Sequence, residues 1–163
     1  MTVLIDNRQN RFRLSTEQIR KPAQAILNAL GSAEGELSVL LLDDAAIAGL
    51  NQQYLGRPGP TNVIAFPMGE GDFADIQPEL LGDVVISVDT AAKEAEELGI
   101  SLSERIRELL IHGILHLFGY DHETAEADAR AMEEKSEALL REIRDIDIDI
   151  QEVGRKGKSS WPD

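Results

Sequence analysis

The pattern of apolar and polar residues predicts strands and helices that alternate along the chain. The run ELSVLLL at 36–42 ends in an unbroken apolar stretch, which is typical of a strand buried on both faces. Further strands are predicted at 2–6, 62–68 and 81–88. Helices are predicted at 15–31, 43–56, 89–99, 101–119 and 123–143. This alternation indicates an α/β fold class.

Capping and helix-breaking residues support these boundaries. Asp43 or Asp44 is a suitable first cap for the second helix, and Gly56 is a suitable end. Ser101 opens a capping box at the start of the fourth helix. Pro22 falls inside the first helix, so we expect a kink or a split there, because proline lacks the N–H that continues a helix.

The length and the C-terminal composition predict one domain followed by a tail. The chain has 163 residues, of which 42% are hydrophobic, and this is enough for one domain with its own core. Its last residues become rich in Gly, Lys and Ser. We therefore predict a single domain over residues 1–150 and a flexible tail over residues 151–163.

The net charge of −14 is unevenly distributed along the chain. Residues 1–22 carry a net charge of +3, whereas residues 70–97 contain nine acids and one lysine, and residues 121–152 contain twelve acids and four bases. The acidic stretches are interpreted as the solvated outer faces of helices. A chain of this charge is unsuited to coating nucleic acid non-specifically, because phosphate contacts need Lys and Arg, and no DNA partner is expected.

Composition also bears on the compartment and on the ligands available to a metal. The sequence has no run of eighteen apolar residues, so no membrane span is predicted. The first ten residues do not resemble a secretory signal. The chain has no cysteine, which agrees with a cytoplasmic location. A metal site in this chain would therefore use histidine and carboxylate ligands rather than thiolates.

All three histidines of the chain lie in the stretch HGILHLFGYDH at 112–122. His112 and His116 are four residues apart, so they share one face of a helix whose other residues are almost all apolar. Gly119 ends that helix, and the turn can bring His122 back toward the same face. Three neutral imidazoles that converge in this way predict an open tetrahedral zinc site with a fourth position for water.

The spacing of these histidines matches that of the metzincin peptidases, but one catalytic residue differs. Those enzymes have a glutamate directly after the first histidine as general base, and this chain has Gly113 there. The metal ligands of a peptidase are thus predicted without its base. The alternative is that the histidines are packed in the core for structural reasons. Three histidines at this spacing make that alternative less favourable.

Three segments resemble, in order and spacing, the motifs of the YbeY family of single-strand-specific endoribonucleases. They are PTNVIAFP at 60–67, LLGDVVIS at 80–87 and LLIHGILHLFGYDHE at 109–123, and the resemblance spans about residues 35–145. It implies a compact α/β (α+β) domain with helices packed on a small mixed four-stranded sheet and a zincin-like metal helix. It also implies one divalent metal of the zinc type, held by His112, His116 and His122.

The same resemblance implies a substrate and partners. It indicates hydrolysis of RNA phosphodiesters, maturation of the 3′ end of 16S rRNA, and a part in ribosome assembly and quality control. Single-stranded RNA or an rRNA precursor would be the substrate, and the small ribosomal subunit or its proteins would be partners.

The chain departs from the family's pattern beside the second predicted helix. The family has a basic residue after the tyrosine that matches Tyr54, whereas this chain has Leu55 there and its arginine two residues later, as Arg57. Either Arg57 holds the scissile phosphate from a shifted position, or this member works without that contact. Asn62 and Ala65 replace the family's usual aspartate and serine, and the second change removes a hydroxyl.

The chemistry of the predicted site leaves several alternatives. The nucleophile is either a water activated by the metal or the 2′-hydroxyl of the RNA. Asp121 is either a partner of a histidine N–H and proton acceptor, or a turn residue that caps the next helix. Arg57 is either a phosphate ligand or a solvated loop residue. A zinc peptidase-like hydrolase and a non-catalytic ribosome assembly protein with a structural metal are the rival functions.

The distribution of cations predicts a path for the RNA. We expect it to enter along a groove lined by the basic N-terminal segment and the loop of Arg57, and to avoid the acidic helix that begins at residue 123. Tyr54 and Phe66 are among aromatic residues scattered along the sequence, so no stacking surface for bases is predicted.

Overall fold

The predicted strands at 36–42, 62–68 and 81–88 belong to one sheet of the fold. The protein is described by a computed structural model, which covers residues 3–68, 80–120 and 126–153. The strands of the described part are β1 (Val3–Asn7), β2 (Phe12–Leu14), β3 (Glu36–Leu42), β4 (Val63–Pro67), β5 (Leu80–Ser87) and β6 (Ile150–Glu152). The helices are α1 (Thr16–Ala29), α2 (Asp44–Leu55), α3 (Val88–Leu98), α4 (Leu102–Leu117) and α5 (Glu126–Ile143).

The main sheet is mixed and has four strands in the order β1-β3-β5-β4. Strands β1, β3 and β5 are parallel, while β4 runs antiparallel to β5 at the edge of the sheet. The register places Val84 of β5 between Val39 of β3 and Ala65 of β4. The predicted α/β domain with a mixed four-stranded sheet is therefore confirmed.

Helices cover both faces of this sheet. The larger core lies on the face covered by α1, α3, α4 and α5, where Val39 and Val84 meet side chains such as Leu110 of α4. A smaller core lies on the other face, where Ile47 of α2 packs on Val85. Burial of β3 and β5 between helices explains their continuous apolar sequences.

A second sheet consists of β2 and β6 in antiparallel pairing, with Phe12 opposite Glu152. The N–H of Val153 also donates to the carbonyl oxygen of Arg11 at 2.9 Å. Neither strand was predicted, because three residues are too few to show a period of two. The pairing continues two residues into the segment predicted as a tail, and residues 154–163 lie outside the described part.

The predicted boundaries of α2 are confirmed by its caps. The side chain of Asp43 accepts a hydrogen bond from the N–H of Ala46 at 2.9 Å, and Gly56 ends α2 with a positive φ of 66°. Pro22 lies inside α1 without splitting it. Ile19 and Ile26 on either side of it are fully buried, and their packing offsets the hydrogen bond that proline removes. No helix of the described residues is long and apolar enough to cross a membrane.

Candidate functional site

Helix α4 brings His112 and His116 together beside the edge of the sheet. Both side chains are half-buried on a helix whose neighbouring residues Ile111, Ile114 and Leu115 are buried. Their Nε2 atoms are 3.0 Å apart, and the ring centroids are 4.5 Å apart at an interplanar angle of 70°. The predicted pairing of these two imidazoles on one helical face is therefore confirmed.

The separation of these nitrogens fits two ligands of one metal ion. Metal–nitrogen bonds of 2.0–2.1 Å in a tetrahedral site place two nitrogens about 3.4 Å apart, so only a small shift separates the pair from that geometry. At 3.0 Å one ring can also donate a hydrogen bond to the other. Both a shared metal ion and a direct hydrogen bond require the two Nε2 atoms to lie close together.

The third histidine of the predicted site cannot be placed. His122 and the neighbouring Asp121 lie outside the described residues. Within the described part of the chain, no group of three histidine or carboxylate side chains has the arrangement of a metal site. The three-histidine set and the role of Asp121 therefore stay predictions.

Gly113 gives a structural reason for the missing peptidase base. A Cβ atom at this position would lie 2.6 Å from Cγ1 of Val84 and 3.2 Å from Cγ2 of Val63. Helix α4 thus rests directly on β5 and β4 at the residue that follows the first histidine. Any side chain there, including the glutamate of a peptidase, would push α4 away from the sheet.

A cavity of about 670 Å³ connects these histidines with the loop that carries Arg57. Arg57 and Leu55 both line it, and so do His112 and His116. The shifted arginine therefore faces the same space as the imidazoles. Residues of β4, Val63 among them, also line this cavity, so the loop, the edge strand and α4 all contribute to it.

A polar network borders the cavity on the other side of His112. The guanidinium of Arg105 donates to Glu108 at 2.7 Å and to Glu94 at 2.9 Å, and the amide of Asn62 donates to Glu94 at 3.1 Å. Burial alone would lower the pKa of Arg105, but these two carboxylates raise it above its ordinary value. The network fixes Arg105 and makes it a poor phosphate ligand.

The network was only partly predictable. Arg105 and Glu108 are three residues apart on one helix, so the sequence indicates their pairing. Glu94 and Asn62 come from α3 and from the residue before β4, and no local pattern relates them to α4. Asn62 also accepts the N–H of Ser87 at 2.9 Å through its carbonyl oxygen, which ties the start of β4 to the end of β5.

A second cavity of about 380 Å³ shares His112 and Asn62 with the first and is acidic. Its wall includes Glu108 of α4 together with Glu133 and Glu137 of α5. Phosphate is repelled by such a wall. The electrostatic contrast between the two cavities agrees with the expectation that RNA avoids α5.

The basic N-terminal segment does not extend the cleft, and this part of the prediction is wrong. Strand β1 lies at the opposite edge of the sheet from β4, with β3 and β5 between them. Arg8 pairs with Asp6 at 2.8 Å, and Arg11 pairs with Asp89 and Glu152 at 3.0 Å each. The sequence gives the charges of this segment but not their distance from Arg57.

Two of the aromatic residues that are scattered in sequence meet in the fold. The rings of Tyr54 and Phe66 have centroids 5.6 Å apart at an interplanar angle of 74°, an edge-to-face contact. Tyr54 is 60% exposed, next to Leu55 on the cavity wall. An exposed, oriented ring therefore stands near Arg57, where the sequence predicted no aromatic surface.

Comparison with known proteins gives one consistent family. The model of the family described as Endoribonuclease YbeY matches residues 4–144. The Endoribonuclease YbeY of Geobacter sulfurreducens is 54% identical over 141 residues, which cover 86% of this chain and 94% of the relative. That of Aquifex aeolicus is 44% identical over 127 residues, which cover 78% and 83%. The solution structure of TM1509 from Thermotoga maritima has a TM-score of 0.63 at 25% identity, covering 86% and 88%.

Proposed function

The chain belongs to the Endoribonuclease YbeY family, and on that premise we propose that it is a metal-dependent endoribonuclease that cleaves single-stranded RNA. One observation supports this most directly: His112, His116 and Arg57 line one cavity. A cleft lined by both imidazoles and a cation suits a phosphodiester, whose cleavage needs an activated oxygen and neutralisation of the phosphate charge.

The metal ligands in this proposal are His112, His116 and His122, with zinc as the metal. The 3.0 Å separation of the two described Nε2 atoms supports the first two ligands. When bound, the metal would supply Lewis-acid polarisation of a phosphoryl oxygen and would lower the pKa of a water molecule. Asp121 would orient an imidazole or accept a proton.

In this proposal Arg57 contacts the phosphate. It takes the place of the family's basic residue, whose position in this chain is occupied by Leu55. Between Asp44 and Glu70 it is the only charged residue of the sequence, so no neighbouring carboxylate in that stretch weakens its field. The exposed ring of Tyr54 can stack on a base of the same strand, since stacking is available to every base. The two residues together match a single strand, whose phosphates and bases are both accessible.

Gly113 argues against a zinc peptidase. A peptidase of this histidine pattern needs a glutamate at that position, and the contact with Val84 leaves no room for it. Phosphodiester cleavage does not need that base, because either the metal or the 2′-hydroxyl of the RNA can provide the nucleophile.

The biological role in this proposal is maturation of the 3′ end of 16S rRNA during ribosome assembly, in the cytoplasm. The net charge of −14 and the presence of one cation, Arg57, among the described residues that line the cleft predict weak intrinsic affinity for RNA. Delivery by the small ribosomal subunit or one of its proteins would compensate for this weakness. An rRNA precursor within assembling subunits should therefore be cleaved faster than the same RNA alone.

The direct test combines metal analysis with RNA cleavage. His116→Ala should lose most of the metal and the cleavage of a single-stranded RNA, while a peptide substrate stays intact with every variant. Leu117→Ala, a half-buried neighbour on the same helix, controls for general damage to α4. Full metal content in His116→Ala would contradict the ligand assignment, and peptide cleavage without RNA cleavage would favour the rival enzyme.

The products identify the nucleophile. Attack by the neighbouring 2′-hydroxyl leaves a 2′,3′-cyclic phosphate, and a 2′-deoxy substitution at the cleaved position abolishes it. Attack by water leaves an uncyclised phosphate and tolerates that substitution.

A further inference from the structure

We infer that Asn51 is a positioning residue for Arg57: from inside α2 it holds the loop of residues 56–61 in the conformation that presents the arginine to the cavity. The inference rests on the proposed function, in which Arg57 contacts a phosphate of the RNA. It adds a residue of α2 to the machinery of the cleft.

Asn51 is bonded to the loop on both sides of Arg57. Its side-chain amide donates to the carbonyl oxygen of Gly59 at 3.0 Å, and its main-chain oxygen accepts the N–H of Arg57 at 3.2 Å. Asn51 itself is 5% exposed, so α2 fixes its position. One buried residue thus sets the backbone at positions 57 and 59, and Arg57 and Pro58 lie between the two bonds.

The loop is built to hold one conformation. Gly56 and Gly59 have positive φ angles of 66° and 84°, which other residues rarely adopt. Pro58 and Pro60 have φ fixed by their rings. Four of the six residues at 56–61 are therefore glycine or proline with a defined backbone state. A loop of this kind loses little entropy when its arginine binds a phosphate.

One polar atom of the Asn51 side chain has no hydrogen bond within the described part of the chain, and the stability of the fold alone does not explain an asparagine at this position. Its Oδ1 is buried and has no hydrogen-bond partner among the described residues. A buried acceptor without a partner destabilises a fold, and leucine of similar size would avoid that penalty. The carbonyl of Gly59 lies in an exposed residue and could bind water instead. An amide at this position therefore serves the loop rather than the core.

The test is a double-mutant cycle of Asn51→Leu and Arg57→Ala, read by steady-state cleavage of a single-stranded RNA with the metal-loaded protein. Asn51→Leu alone should lower kcat/KM by about tenfold to a hundredfold, because the arginine is displaced by about an ångström. In the Arg57→Ala background the same substitution should cause no further loss. Gln52→Leu, an exposed neighbour on α2, is the matched control and should leave kcat/KM unchanged.

Two further measurements separate positioning from damage to the fold. The melting temperature of Asn51→Leu should equal or exceed that of the wild type, because the unpaired Oδ1 is removed. Amide hydrogen exchange at Arg57, whose N–H donates to the main-chain oxygen of Asn51, should become faster in Asn51→Leu and stay unchanged in Gln52→Leu. Hydrogen exchange requires no RNA, so it reports on the loop even if the protein cleaves none.

Each outcome decides the matter. An equal loss from Asn51→Leu with and without Arg57 would assign Asn51 a structural role and overturn the inference, as would wild-type kcat/KM in Asn51→Leu. Wild-type kcat/KM in Arg57→Ala would overturn the phosphate contact and the positioning role together. If no variant and no wild type cleaves RNA, the proposed function fails, and unchanged exchange at Arg57 would separately overturn the hold of Asn51 on the loop.

Discussion

The packing of α4 on the sheet can be tested at two helical glycines, one with and one without room for a side chain. Gly113 of α4 and Gly49 of α2 both lie inside helices, and neither has a positive φ angle. A Cβ at Gly113 would meet Val84 at 2.6 Å, whereas one at Gly49 would meet nothing within 4 Å. Replacement by alanine should therefore change stability in opposite directions at the two positions.

The magnitudes follow from helix preference and from packing. Alanine is favoured over glycine in a helix by about 1 kcal/mol, so Gly49→Ala should be stabilising by that amount. At Gly113 the same gain is opposed by overpacking, which costs about 1–3 kcal/mol. The larger values apply because Val84 is fully buried on β5 between β3 and β4 and cannot move away. We expect Gly113→Ala to be destabilising by about 1–2 kcal/mol.

Thermal unfolding of the two variants measures this difference. For a domain of this size about 1 kcal/mol shifts the melting temperature by 2–4 °C, so Gly49→Ala should melt higher and Gly113→Ala lower than the wild type. Adding Val84→Ala to Gly113→Ala should cause less loss than the sum of the two single changes, by about 1 kcal/mol. A higher melting temperature in Gly113→Ala would show that α4 is not pressed against β5 and would refute the reasoning.

Three other predictions concern a partly buried carboxyl of β5 and two residues in or beside the cleft. Burial raises the pKa of the Asp83 carboxyl, so its ionised form disfavours the fold; that penalty is absent below about pH 4 and appears as the pH rises through the folded-state pKa. Asp83→Asn should therefore melt higher than the wild type at pH 7 and equally at pH 3.5, roughly below the unfolded pKa, and a constant difference across this range would contradict the assignment. Arg57→Ala should reduce the slope of log affinity for single-stranded RNA against log salt by about 0.7, and an unchanged slope would exclude its phosphate contact. Tyr54→Ala should weaken binding of single-stranded RNA by about 1–3 kcal/mol, whereas Tyr54→Phe should bind as the wild type does.

Much of the fold is predictable because its signals are local. Strand β3 ends in an unbroken apolar run, and α4 has a serine cap and an apolar surface, so burial and capping define both. Strands β2 and β6 are different. Each has three residues, and Phe12 pairs with Glu152 across almost the whole chain. Neither element has a periodicity, and each exists because the other completes its hydrogen bonds.

The same distinction applies to the site. His112 and His116 are four residues apart on one helix, so their proximity follows from helical geometry. That Arg57 faces them depends on the position of β4 at the edge of the sheet, which only the fold provides. Asn51 had no recognisable signal, because a buried asparagine in a helix is identified by its partner, the carbonyl of Gly59, eight residues later.

The contact at Gly113 connects these levels. Because this residue has no side chain, α4 approaches β5 and β4 closely enough to place His112 beside the edge strand. Strand β4 begins directly after the loop of Arg57, so the same edge positions the loop whose arginine lines the cavity of the two imidazoles. A glutamate at position 113 would require a wider gap between helix and sheet. Glycine at this position is thus the residue that allows the close packing of α4 on the sheet edge, beside which His112 and Arg57 line one cavity.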